Sequence, residues 1–260
     1  MNISACIITN NNPKVIEAIK SVKNCCNEII LVETSGRNDF QNELNNLGVK
    51  LYWYKWNNDF SAARNFSISH ATGDYILIID SDEILKTEIK YLDEQFDYFF
   101  AKIFNNSMYH YSARLFKNNI GLQYYNKIHE NLNYAGFKGA LSDIELMHDG
   151  YISESEIMIK QKRNLEYLET DLNNPGRNYY YLCAYYYFKD NEKAIEYGVK
   201  CLEDTIGNEI KANACLMLYE IYNLQNDIKA FEYLRKSVEY LPEQSRARIY
   251  LIDNLYKAGL

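Results

Sequence analysis

Short apolar runs alternate with stretches in which apolar residues return every three or four positions. Ile3–Thr9 reads as a buried strand. Asn10, Asn11 and Asn12 form a turn, with Pro13 placed to begin a helix on which Val15, Ile16, Ile19 and Val22 share one face. Residues 28–32 read as a second strand, 38–47 as a short helix, 49–54 as a third strand and 59–71 as another helix. Gly73 leads into Ile76, Leu77, Ile78 and Ile79, a run short enough for a strand buried on both faces. Strand and helix thus alternate with short connections. This predicts an α/β fold: a doubly wound, mostly parallel sheet with right-handed crossovers.

After Glu83 the alternation stops. Residues 97–104 and 108–116 are rich in Tyr and Phe and are expected to pair antiparallel across 105–107. Residues 118–150, with Gly121, Gly136, Gly139 and Gly150, read as loop. At Ser153 the period changes. Ser153 and Glu156 have the spacing of a capping box, and the rest reads as helical, broken at Asn174, Pro175 and Gly176. Lys193, Ala194, Glu196, Tyr197 and Lys200 recur as Lys229, Ala230, Glu232, Tyr233 and Lys236, and Leu182 and Tyr186 recur as Leu218 and Tyr222. The offset, 36 residues from Ala194 to Ala230, is close to that of tetratricopeptide helix pairs. Residues 245–258 would open a third, incomplete repeat or cap the array. Two domains are expected: 1–152 with the α/β pattern and 153–260 all-helical.

Bulk properties narrow the function classes. The chain has 260 residues, 47% hydrophobic and 24% charged, as a soluble globular protein does. Many of the 25 Tyr cluster in the C-terminal third, where ring and hydroxyl can serve packing and a wet edge together. A net charge of −7 argues against broad nonspecific binding of nucleic acid or anionic membrane. No apolar run is long enough to span a bilayer, and the N-terminus lacks the basic start and apolar core of a signal peptide. None of the six cysteines forms a Cys-x-x-Cys pair, which disfavours zinc. A cytoplasmic protein with reduced thiols is expected.

The chemistry concentrates where the fourth strand ends, in Asp80, Ser81, Asp82 and Glu83. Ligands bind at the carboxyl ends of strands in such sheets. Carboxylates crowded there suit Mg²⁺ or Mn²⁺ and the phosphate oxygens it carries; the plainer reading is a solvated acidic turn or helix cap. Thr9 and Asn10, and Glu33, Thr34 and Ser35, end two other strands and would line the same edge, where a base and ribose could be held. Arg64 could pair with a base carbonyl or a phosphate, or simply make a surface ion pair. No Gly-x-Gly-x-x-Gly follows the first strand and no Gly-Lys-Ser/Thr loop occurs, which disfavours nicotinamide and P-loop chemistry. Two of the four His, His129 and His148, each stand beside an acid, Glu130 and Asp149.

Together, Ile7 to Asn10, Asp59 to Asn65, Asp80 to Glu83, Ile128 to Glu130 and His148 to Tyr151 resemble the nucleotide-sugar-dependent glycosyltransferases of family two, which have the GT-A fold. The helical tail makes the chain similar to the branch with the sublancin-type bacteriocin glycosyltransferases; core glucosyltransferases of lipopolysaccharide assembly carry related motifs. The resemblance implies inverting transfer of a hexose from a nucleoside-diphosphate sugar, UDP above all. It puts Asp80 on the ribose or the metal, Asp82 on Mn²⁺ or Mg²⁺ beneath the diphosphate, and His148 as a further metal ligand. Thr9, Asn10, Glu33, Asp59, Arg64 and Ser81 would complete the donor site. Members usually carry Asp where this chain has Glu33, whose extra methylene changes its reach. An inverting transfer needs a base on the acceptor side; Glu130 is the first candidate, ahead of Asp149 and Glu83. A peptide or protein acceptor is expected from the helical tail, with a glycan as the alternative. The tail is also the expected surface for a homodimer. The competing class is a non-catalytic scaffold that binds peptides through its helices.

Overall fold

A computed structural model describes residues 1–105, 108–148, 154–171 and 173–257. It divides into two compact units, Met1–Glu154 and Ser155–Leu260.

The first unit is built on one mixed sheet. β1 (Ile3–Thr9), β2 (Glu28–Glu33), β3 (Lys50–Trp53) and β4 (Tyr75–Ile78) are linked by α1 (Val15–Val22), α2 (Gln41–Leu47) and α3 (Phe60–Ser69). They lie parallel in the order β3-β2-β1-β4, as the alternating pattern predicts. Both faces of these strands are covered. Ile3, Ala5, Ile7, Leu77 and Ile79 pack with Val15, Ile19 and Leu44 on the α1 and α2 side. Cys6, Ile30, Val32, Ile76 and Ile78 pack with Phe66 and Ile68 of α3 on the other. This is why Ile76 to Ile79 form an unbroken apolar run: each alternate residue meets a different helix layer.

The sheet continues through β5 (Glu83–Leu85), β6 (Tyr98–Asn105), β7 (Met108–Lys117) and β10 (Gly139–His148), giving β3-β2-β1-β4-β7-β6-β10-β5. β6 and β7 pair antiparallel, as expected. A second small sheet pairs β8 (Tyr124–Tyr125) with β9 (Asn131–Leu132). The stretch expected to be loop thus contains β10, ten residues long, parallel to β6 and antiparallel to β5. Its register slips between Leu141 and Glu145, so the two-residue alternation that marks a strand is broken in mid-course. Gly139 opens it because a Cβ there would lie 2.2 Å from Tyr98 Cζ.

The second unit is helical: α4 (Glu154–Thr170), α5 (Pro175–Tyr186), α6 (Asn191–Glu203), α7 (Asn208–Leu224), α8 (Lys229–Tyr240) and α9 (Ser245–Lys257). The proposed N-cap Ser153 lies outside the described residues. The repeat seen in the sequence is a repeat of contacts. Tyr186 stacks on Tyr197 (5.8 Å between centroids, 12° between planes) and Tyr222 on Tyr233 (5.5 Å, 0°). Lys193 and Lys200 flank the first pair, Lys229 and Lys236 the second. Ala194 and Ala230 are buried at matching positions, where a small side chain lets the helices close. Gly198 does the same: a Cβ there would come within 2.8 Å of Leu218 Cδ2.

Candidate functional site

Parallel β1, β2 and β4 end on one edge of the sheet, and their last residues set the site. Thr9 is buried at the tip of β1; its Oγ1 accepts from the Asn12 amide at 3.2 Å and its carbonyl accepts from Thr34. Asn10 follows it, exposed. Glu33 ends β2 and is 3% exposed. Its two oxygens accept from the Asn11 amide (2.9 Å) and the Ser35 amide (2.6 Å). Glu33 thereby staples the two strand-end loops together, including Asn11 in its left-handed backbone conformation (φ 60°). A buried carboxylate so placed shapes the rim of the site from within.

Asp59 caps α3, accepting from the Ala62 amide at 2.9 Å, and starts the helix one turn before Arg64. Arg64 is buried on the sheet-facing side of α3, although an arginine on that face is the reverse of amphipathic patterning. Its partners explain this. Nη2 donates to Asp80 Oδ1 at 2.6 Å and Nε to Glu130 Oε1 at 2.8 Å, while the guanidinium lies 5.5 Å from the Tyr124 ring centre. Glu130 reaches it from the connection between β8 and β9, beside His129 in a left-handed conformation (φ 51°).

A second guanidinium, not singled out in the sequence, completes the cluster. Arg114 of β7 donates through Nη2 to Asp80 Oδ2 (3.1 Å) and Glu83 Oε1 (2.8 Å). Asp80 is therefore gripped on both oxygens. Burial works to raise its pKa, but Arg64 and Arg114 hold it well below the usual carboxylate range. Glu83, sealed in the sheet, behaves oppositely: burial and the neighbouring Asp80 charge outweigh Arg114 and push it up to about 7. Its Oε2 accepts from the Asp80 amide at 2.9 Å, and the Glu83 amide donates to the Asp80 carbonyl at 3.0 Å, closing the turn on itself. With both oxygens turned inward, Glu83 cannot reach an acceptor.

Ser81 and Asp82 form the outer part of that turn. Antiparallel β5 and β10 set His148 opposite Glu83, so the last residue of β10 arrives beside Asp82, with Nε2 3.3 Å from Oδ2. Both side chains are about one-fifth exposed, His148 at 21% and Asp82 at 20%. A carboxylate oxygen and an imidazole nitrogen converging on one accessible point suit a Mn²⁺-like cation. Among the described residues no group of three or more His, Cys, Asp and Glu is arranged to hold an ion. A cation here would therefore draw its remaining ligands from substrate oxygens and water, as is usual where a metal carries a phosphate. Asp149 lies outside the described residues.

The structure thus brings Arg64, Asp80 and Glu130 into one hydrogen-bonded chain and Asp82 and His148 into a second group beside it. Thr9 and Glu33 end the neighbouring strands β1 and β2, Asn10 follows β1, and Asp59 caps α3. A separate cavity of about 200 Å³ opens between Asn65, Ser69 and residues 116–123. Its flanking amides Asn65 and Asn118 are already bonded to backbone. No helix among the described residues is long and apolar enough to cross a membrane.

Over 286 aligned residues the chain is 27% identical to the SPbeta prophage-derived glycosyltransferase SunS of Bacillus subtilis (strain 168), covering 95% of this chain. The match spans 66% of that relative's own length. A TPR repeat-containing protein of Synechococcus elongatus is 38% identical over 87 residues, 33% of this chain and 22% of that protein. The crystal structure of S. aureus TarS 1-349 in complex with UDP is similar at a TM-score of 0.47 and 12% identity, covering 100% of this chain and 92% of that one. Residues 4–146, more than half of the chain, match the family described as Glycosyl transferase family 2, and the chain belongs to that family.

Proposed function

We propose that the protein moves a hexose from a nucleoside-diphosphate sugar, UDP-hexose first, to an acceptor nucleophile with inversion at the anomeric carbon. The observation that carries this is the Asp82–His148 pair at the strand-end edge of a family-two chain, next to an Asp80 already neutralised by two arginines. Asp82 and His148 would hold Mn²⁺ or Mg²⁺. Bound there, the ion would act as a Lewis acid on the departing diphosphate.

The protein's own groups supply the rest. Arg64 and Arg114 fix Asp80, so that its backbone and carboxylate face the ribose in one orientation. Thr9, Asn10, Glu33, Asp59 and Ser81 border the nucleoside, Glu33 by holding the loops that would touch it. Glu130 is held by Arg64 through Oε1 and, partly exposed at 15%, would take the acceptor's proton. Asp149, next to His148 in sequence, remains the second candidate for that role.

Residues 1–152 would constitute the donor-binding catalytic domain and 153–260 a tetratricopeptide-like domain. The repeated helix pairs support a peptide or protein acceptor, since stacked pairs present extended binding surfaces. They are also where a homodimer would form, and the site of action would be the cytoplasm.

The test is a donor screen with the full chain. UDP-glucose, UDP-N-acetylglucosamine and GDP-mannose are offered with and without Mn²⁺, and release of nucleotide and the anomer formed are followed by NMR. Metal-dependent hydrolysis of one donor is expected, lost in Asp82→Ala. Turnover unaffected by chelator, or retained in Asp82→Ala, would remove the metal from the reading. A protein that binds peptides but turns over no donor would instead favour the scaffold.

A further inference from the structure

We propose that Arg114 is a positioning residue. From a bulge in β7 it pre-sets the acidic turn of residues 80–83, so that Asp82 is presented to the diphosphate-bound cation. Three independent features of the structure converge on this.

The first is backbone register. Phe99 pairs with Leu115 and Phe100 with Ala113, so Arg114 is the extra, unpaired residue of a β-bulge. Bulges re-aim one side chain where a regular strand would not, and they concentrate beside active sites. The second is reach. β7 is hydrogen-bonded to β4, so Arg114 lies one strand away from the turn that leaves β4. A single nitrogen, Nη2, there touches both ends of the turn, Asp80 and Glu83. The third is the closed loop of bonds within the turn: the Asp80 amide to the Glu83 carboxylate, and the Glu83 amide to the Asp80 carbonyl. Arg114 pulls these two carboxylates together against their mutual repulsion. Arg64 cannot substitute, because it reaches Asp80 and Glu130 but has no bond to Glu83. With residues 80 and 83 fixed, Asp82 between them has little freedom of direction.

A purely structural account competes with this one: Arg114 would only balance the charge of buried Glu83. The two accounts are separable because Glu83 can be neutralised without touching Asp80. In Arg114→Met/Glu83→Gln the glutamine keeps an oxygen for the Asp80 amide and no unpaired charge stays buried. The wild-type chain, Arg114→Met, Arg114→Lys and the double variant are compared in three ways: stability, amide exchange of residues 80–83 in metal-free protein, and calorimetric binding of UDP with Mn²⁺.

The inference rests on the metal–diphosphate reading, and Asp82→Ala tests that reading alone. The double variant is expected to recover wild-type stability yet bind UDP–Mn²⁺ about 10- to 100-fold more weakly, the usual effect of losing a group that orients a metal ligand. Its turn amides should exchange about tenfold faster. Arg114→Lys should restore part of both, since an ammonium supplies charge without a fixed fork. Wild-type UDP–Mn²⁺ affinity and unchanged exchange in the double variant would overturn the proposal. If Arg114→Met does not fold, the double variant and Arg114→Lys carry the test. If Asp82→Ala still binds UDP–Mn²⁺ normally, the metal reading fails, and the metal-free exchange still decides the role of Arg114.

Discussion

Removing Arg64 should destabilise the first unit by an amount that its partners fix. Arg64→Met keeps an unbranched apolar stem but deletes the guanidinium, and with it the ion pairs to Asp80 and Glu130 and the cation beside the Tyr124 ring. The Arg64 side chain is 8% exposed, Asp80 29% and Glu130 15%. Breaking one fully buried pair costs about 3–5 kcal/mol, because the surviving charge is stranded. Here neither partner is fully stranded. Asp80 keeps Arg114 and some water, and Glu130 sits on a connection that can turn outwards. The expected loss is therefore about 2–3 kcal/mol, below the full penalty and well above the ~0–1 kcal/mol of a surface pair.

The assay is favoured by the sequence. The chain has 2 Trp, Trp53 and Trp56, both in the first unit, and Trp56 packs on Phe60 at the start of α3. Tryptophan fluorescence in urea therefore follows this unit even if the helical unit unfolds separately. In a cycle with Glu130→Ala, which removes the acceptor oxygen, the two substitutions should couple by roughly 0.5–3 kcal/mol, as groups in one network do. A loss below about 1 kcal/mol would place Arg64 with surface pairs, and strict additivity with Glu130→Ala would refute the bond between them.

Glu130→Gln should leave UDP binding near normal and slow transfer by about 10²- to 10⁴-fold, since glutamine keeps the Arg64 bond and cannot take a proton; an unchanged single-turnover rate would move the role to Asp149. Gly139→Ala should cost about 1–3 kcal/mol in thermal or urea unfolding, because the added methyl meets the buried Tyr98 ring. A third expectation concerns acid. Burial works to raise the pKa of Glu28, but Lys50, Ser4 and Thr72 together hold it down to about 2. A depressed carboxylate stabilises the fold above its unfolded pKa, near 4.5, and that support fades as pH falls towards 2. Lys50 is half exposed, so the shift is discounted to about 1–2 kcal/mol. Between pH 5 and 2 wild type should lose that much more stability than Glu28→Gln; parallel curves would refute it.

What could be read from the sequence follows from how each feature is encoded. The parallel half of the sheet is written in local periodicity: Ile76 to Ile79 are apolar because helices cover both faces, and Val15, Ile19 and Val22 because one helix face does. The helix pairs are written in repetition, which survives as matching Tyr–Tyr stacks. β10 is not legible in this way. A register slip interrupts its alternation, Leu141 is 67% exposed, and its partners β5 and β6 lie far away in sequence.

The site divides along the same line. The acidic turn, Arg64 and the His–acid pairs stood out because charged residues sat against apolar runs. Which charge meets which was hidden, since Arg64 bonds to residues 16 and 66 positions away. Arg114 carried one signal, a lone guanidinium between Ala113 and Leu115 in the apolar second half of β7, and a buried arginine demands carboxylates. Its two partners could have been sought in the nearest acidic run. The bulge that aims it leaves no trace in the pattern, because one extra residue in β7 looks the same as none until its neighbour's register is known. The chemistry of this edge is thus set by two kinds of information. Residue type supplies the charges, and the strands added beyond the parallel half, β7 and β10, bring Arg114 and His148 to the turn that the parallel half had already placed.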